Sequence, residues 1–145
     1  MKYPAIAVLE IQDIPSGIHT ADLMVKNAPI SILKAGTVHN GKFVVLVGGS
    51  VASVEIAYNI GITTAEDSLI DHVNIPHIHQ QVHNAILGER SKADGDSIGI
   101  IETATISSVI NCSDKAVKNT EIDLIELRLA DDIGGKGMAV YCGNV

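Results

Sequence analysis

The chain has 145 residues, with ten Lys and Arg against seventeen Asp and Glu and a net charge of −7. This length suits one ordinary domain or two small ones. With no cluster of basic residues, so acidic a surface repels nucleic acid and excludes it as a partner. Trp is absent and Phe43 is the only phenylalanine, so the core must be built from Ile, Val, Leu and Ala. Cys112 and Cys142 lack CxxC spacing, which suits a reduced protein. The opening MKYPAIAVLEIQD meets acidic residues too early for a signal peptide, and no apolar run is long enough to span a membrane. The expectation is a soluble, cytoplasmic protein with no membrane partner.

Residues 5–11, AIAVLEI, read as a short apolar strand. In SGIHTADLMVKNA (16–28), Ile18, Ala21, Met24, Val25 and Ala28 fall near helical spacing, with Ser16 as N-cap. ISILKAGTV (30–38) and KFVVLVGG (42–49) are strands of a hairpin turning at HNG. SVASVEIAYNIG (50–61) is a second helix, with Val54, Ala57 and Tyr58 on one face and Gly61 as its stop. SLIDHVNI (68–75) is a fourth strand, and PHIHQQVHNAI (76–86) a short helix opened by Pro76. This order predicts an α+β fold, an antiparallel sheet with helices on one side.

The pattern then starts again. AIAVLEIQDIPSGIHTADLMVKNAPISIL (5–33) aligns without a gap to SIGIIETATISSVINCSDKAVKNTEIDLI (97–125). Identities include Ile6/Ile98, Glu10/Glu102, Ile14/Ile106, Ile18/Ile110, Asp22/Asp114, Val25/Val117, Lys26/Lys118 and Asn27/Asn119. After a two-residue insertion near Ile133 and Gly134, Gly41-Lys42 meets Gly135-Lys136, and Gly49-Ser50-Val51 meets Gly143-Asn144-Val145. The chain reads as a tandem duplication, 1–90 and 91–145, joined by the polar GERSKADGD (88–96). The second copy stops where its second helix should begin. An unpaired strand edge and an uncovered sheet face would be costly there, so either the chain has been shortened or something else covers the gap.

Four of the six histidines fall in one stretch: His72, His77, His79 and His83. Imidazole is a common metal ligand, and His79 and His83 have the i, i+4 spacing of zinc helices. Gln80, however, stands where a metalloprotease would carry its Glu, and no nearby Cys or Glu offers a third ligand. Structural or edge histidines are the better reading. No nucleophile–base set, GxGxxG or P-loop is present, so no enzyme and no catalytic residue is expected.

The pattern AIAVLEI…GIHTADLMVKNAPISIL and its echo SIGIIET…DKAVKNTEIDLI resembles the bacterial microcompartment (BMC) shell domain over nearly the whole chain. The Lys-Asn pair after each first helix is the most specific part of the match. Duplication resembles the tandem-domain subclass, and the loop endings GKF and IGGK resemble its iron–sulfur members from propanediol-utilisation compartments. The resemblance implies a structural protein whose homotrimers are pseudohexamers. These tile with other microcompartment shell proteins around a central pore that passes metabolites or a cofactor. It implies tile-edge roles for Lys26, Asn27, Lys118 and Asn119. His77 stands where the family often uses Arg, whose planar fork imidazole cannot copy.

The resemblance also implies that two loops line the pore: His39, Asn40 and Gly41 in the first copy, and Asp131, Asp132, Ile133 and Gly134 in the second. Iron–sulfur members carry a Cys in the first loop; with His39 there instead, no [4Fe–4S] cluster is expected. Three His39 side chains round a threefold axis could hold a metal ion such as Zn²⁺, or His39 could simply narrow and polarise the pore. Asp131 and Asp132 would repel anions and attract cations, or serve only to form a turn. The rival reading is a trimeric regulator that binds a small molecule or metal between subunits.

Overall fold

A computed structural model describes residues 1–144 of the chain, so the last pair of the repeat match, Val51 on Val145, lies outside the described residues. The fold is α+β, in two compact units, Met1–His77 and Ile78–Val145.

The first unit contains β1 (Ala5–Ile11), α1 (Ile14–Asn27), β2 (Ser31–Thr37), β3 (Phe43–Gly49), α2 (Val51–Ala65) and β4 (Leu69–Ile75). Its sheet is antiparallel in the order β2-β3-β1-β4. Strand β1 is central, and all seven of its residues are buried. Strand alternation divides them between two faces. Ala5, Ala7, Leu9 and Ile11 join Phe43, Val45 and Val47 against Ala21, Met24, Val54 and Ala57 of the helices. Full burial of each larger aliphatic side chain contributes about 1.5–3 kcal/mol. Ile6, Val8 and Glu10 point to the other face.

Three local expectations need correcting. The N-cap of α1 is Asp13, not Ser16. The Asp13 carboxylate accepts the Ser16 N–H at 2.9 Å, and Pro15 falls in the first turn, where its missing N–H costs nothing. The buried face of α1 is Gly17, Thr20, Ala21 and Met24, whereas Ile18 and Val25 are exposed. Helix α2, capped by Ser50, runs past Gly61 to Ala65. A Cβ at Gly61 would meet Leu9 Cδ2 at 2.7 Å and Met24 Sδ at 2.9 Å. That glycine allows close packing and does not stop the helix.

The second unit holds α3 (Gln80–Ile86), β5 (Ser97–Thr103), α4 (Ile106–Asn119), β6 (Asp123–Leu129) and β7 (Gly137–Gly143). Its antiparallel sheet runs β5-β7-β6. The register repeats that of the first copy: Glu10 faces Val44, and Glu102 faces Met138. The packing repeats with sizes exchanged. Gly17 lies under the Phe43 ring, whereas Val109 lies over Gly137, and a Cβ on either glycine would meet its neighbour at under 3 Å. Tyr141 is buried, with its hydroxyl 2.8 Å from Ser113 Oγ.

Helix α3 belongs to the second compact unit, where it packs on α4 and β6. Gln81 accepts the Leu124 N–H at 2.8 Å and donates to Asp123 Oδ1 at 2.8 Å. Further along, Ser91 N–H donates to Ile125 O at 3.1 Å, and Arg90 pairs with Glu126. Helix α3 begins at Gln80 rather than at Pro76, with His79 as its cap. Among the described residues nothing pairs with the outer edge of β5, and no counterpart of α2 or β4 follows β7.

Candidate pore turns and edge positions

The β2–β3 connection is a 3₁₀ turn, His39–Gly41, in which Asn40 (φ 72) and Gly41 (φ 75) take left-handed backbone. Both residue types accept this geometry at little cost. The turn closes where Val38 N–H donates to Lys42 O at 2.9 Å. Lys42 Nζ then donates to Glu10 Oε2 at 3.0 Å, a buried ion pair across 32 residues.

The β6–β7 connection is two residues longer, and Ala130, Asp132, Gly134 and Gly135 all have positive φ. Even so it closes in the same way. Ala130 N–H donates to Lys136 O at 2.8 Å, and Lys136 Nζ donates to Glu102 Oε1 at 2.7 Å. This second pair is exposed. Sequence reasoning found Glu10/Glu102 and Lys42/Lys136 as repeat identities but assigned them no role; their recurrence in both copies was the available signal.

His39, Asn40 and Gly41 are exposed on the first turn. Asp131, Asp132 and Gly134 are exposed on the second, with Ile133 half-buried. Asp132 itself holds left-handed backbone, and Asp131 N–H donates to Leu129 O at 2.7 Å, so both help to build the turn. Neither cysteine lies in a turn: Cys112 is in α4 and Cys142 in β7.

The candidate edge positions are also duplicated. Lys26 pairs with Asp22 at 2.6 Å and Lys118 with Asp114 at 2.5 Å, each one turn back along its helix. Asn27 and Asn119 donate to the carbonyls of Leu23 and Lys115 at 2.8 and 2.7 Å, closing the last turns of α1 and α4. Lysine near a helix C-terminus also complements the helix dipole. Asp114 Oδ1 accepts the His79 N–H at 2.7 Å and so ties α4 to the start of α3. His77 is exposed just ahead of that point.

The remaining histidines are engaged locally. His72 Nδ1 lies 2.6 Å from the Tyr58 hydroxyl, whose pKa burial and then the Asp71 charge push up. His79 Nδ1 accepts the Gln81 N–H at 3.3 Å, and buried His83 lies 3.1 Å from Asn84 Oδ1. His79 stands at the N-cap of α3, and its carbonyl accepts the His83 N–H at 3.0 Å. Among the described residues of one chain, no three His, Cys, Asp or Glu are grouped to hold a metal. No described helix is long and apolar enough to cross a membrane.

The profile of the BMC domain family matches residues 5–78 and 97–145, one match to each copy. The chain belongs to the BMC-domain family. It is a tandem shell protein of the bacterial microcompartment type. It is 36% identical to the bacterial microcompartment shell protein PduT of Citrobacter freundii, over 97% of this chain and 77% of that one. It is 24% identical to the carboxysome assembly protein CcmO of Synechocystis, of which it spans 52%. A solved microcompartments protein from Desulfitobacterium hafniense superposes with a TM-score of 0.82 at 38% identity, over 97% of this chain and 78% of that one.

Proposed function

We propose that this BMC shell protein is a homotrimer of pseudohexagonal outline that tiles, with other shell proteins, into the wall of a cytoplasmic microcompartment. The role is structural, with no catalysis. The observation that supports the reading is the duplicated turn: each copy ends the same hairpin in an exposed turn fixed by the same Glu–Lys pair. Three subunits would bring both kinds of turn round one axis. His39, Asn40 and Gly41, with Asp131, Asp132, Ile133 and Gly134, then line a pore for small metabolites. Exposed carboxylates there disfavour anions.

Lys26, Asn27, His77, Lys118 and Asn119 form the tile edge in this reading. Light scattering should give a trimer, and electron microscopy at high concentration should show sheets or tubes. Lys26→Ala with Lys118→Ala should abolish the sheets and leave the trimer. A monomeric wild type would overturn the architecture. A discrete trimer that never forms sheets but melts higher with a small ligand would favour the regulator instead.

His39 supplies one imidazole per subunit at the axis, a three-nitrogen set of the kind Zn²⁺ accepts with a fourth position open. Elemental analysis should find near one metal per trimer, lost in His39→Ala. Equal metal in both proteins would rule this site out. With no thiolate at either turn, no cysteine-ligated cluster is proposed.

A further inference from the structure

Asn40 and Gly41 form the only Asn-Gly pair in the chain. Every other asparagine precedes a residue with a side chain, and Asn27, Asn59, Asn74, Asn84, Asn111 and Asn119 lie in helices or strands. Asn40 instead stands exposed at the tip of the β2–β3 turn, with Gly41 exposed beside it. A Cβ built on Gly41 would meet no heavy atom within 4 Å, so nothing crowds the peptide that joins the two.

The backbone there is one rotation away from a reactive shape. Asn40 has φ 72 and ψ 17, and Gly41 has φ 75. At ψ 17 the Gly41 nitrogen points away from the Asn40 side chain. A flip of the joining peptide to a type II′ shape keeps the positive φ of Asn40 and moves its ψ to about −120°, which eclipses that nitrogen with Cβ. The flip reverses the sign of φ at Gly41, which glycine accepts at no steric cost. The Val38 N–H to Lys42 O bond and the buried Glu10–Lys42 pair hold the root of the hairpin, so the motion is confined to its tip. Such a tip opens at the low end of the local free-energy range.

We propose that Asn40–Gly41 is a self-modifying site that converts, without an enzyme, to aspartate and isoaspartate. The Gly41 backbone nitrogen gives its proton to hydroxide and attacks Asn40 Cγ. The new N–Cγ bond closes a succinimide ring as the Cγ–Nδ2 bond breaks, and the amide nitrogen takes a proton from water and leaves as ammonia. Water then adds to either ring carbonyl and opens the ring to an aspartyl or an isoaspartyl residue; nothing is oxidised or reduced. Each event puts a carboxylate in place of a neutral amide, beside His39. The second turn has no asparagine and already carries Asp131 and Asp132, so conversion gives both turns negative charge and strengthens the exclusion of anions. That consequence for the pore rests on the trimer reading; the conversion does not.

Purified protein kept warm at mildly alkaline pH is followed by mass spectrometry of the tryptic peptide 35–42, beside a synthetic peptide of the same sequence. In the protein this peptide should gain the mass of an amide-to-acid exchange and split into two isomers, faster as pH rises, while the other asparagine peptides stay unchanged. Asn40→Gly keeps a residue suited to left-handed backbone and should abolish the mass gain. Asp94-Gly95 can also form isoaspartate, but with no change of mass, so the mass gain is the deciding signal. An unmodified 35–42 after the synthetic peptide has converted fully would overturn the proposal and leave the trimer reading standing. Equal conversion at other asparagines would overturn it too. On native anion exchange, partly converted protein should separate into four charge forms, with none to three turns converted per trimer. Two forms alone would mark a monomer, overturning the trimer reading and its pore while the conversion stands.

Discussion

Asp13 and Gly61 show how single positions set this fold. The Ser16 backbone N–H, aided by the Ser68 and Ser16 hydroxyls, holds the Asp13 carboxyl below its ordinary pKa. A carboxylate depressed in the folded state stabilises it above the unfolded pKa, about 3.9. That contribution is lost as pH falls through the folded value. Asp13→Ala should therefore melt below wild type at neutral pH, with the gap closing on acidification. A gap that stays constant down to acid pH would rule out the cap. At Gly61 the argument is steric. Gly61→Ala forces a methyl against Leu9 and Met24 and should cost about 1–3 kcal/mol by urea unfolding. Gly36→Ala in β2, where no heavy atom lies within 4 Å of the new Cβ, should be nearly silent.

Among the elements, the hairpin roots carry the sharpest contrast between copies. Glu10→Gln leaves the Lys42 ammonium buried without its counter-charge and should cost about 3–5 kcal/mol. Glu102→Gln breaks an exposed pair and should cost at most about 1 kcal/mol in the monomer. Equal losses in denaturant melts would show that burial does not separate the two pairs. These roots were hidden in the sequence because their partners lie 32 and 34 residues apart. The strands were legible, since apolar runs bounded by turn residues left little choice over β1 and β3. The face of α1 was misread because Ile18 and Val25 are apolar yet not used in the protomer's own core. Gly61 read as a stop because a glycine for close packing and one for termination look the same until Leu9 and Met24 are in place. The turn residues were legible through the duplication and the family resemblance, whereas the partners of His79 and Gln81 required the fold.

At the scale of the whole molecule, the two sheets are unequal. Strand β1 is hydrogen-bonded on both sides, to β3 and β4, while β5 is bonded only to β7. An amide in β1 exchanges with solvent only when that sheet opens. Amides of β5 that point away from β7 have no ladder partner among the described residues. Local openings span free energies from near zero up to the global value, and such edges sit at the low end. Hydrogen exchange of the dilute monomer should therefore label residues 97–103 far faster than residues 5–11. Equal labelling of the two segments would show that the unpaired side of β5 does not lower its local stability.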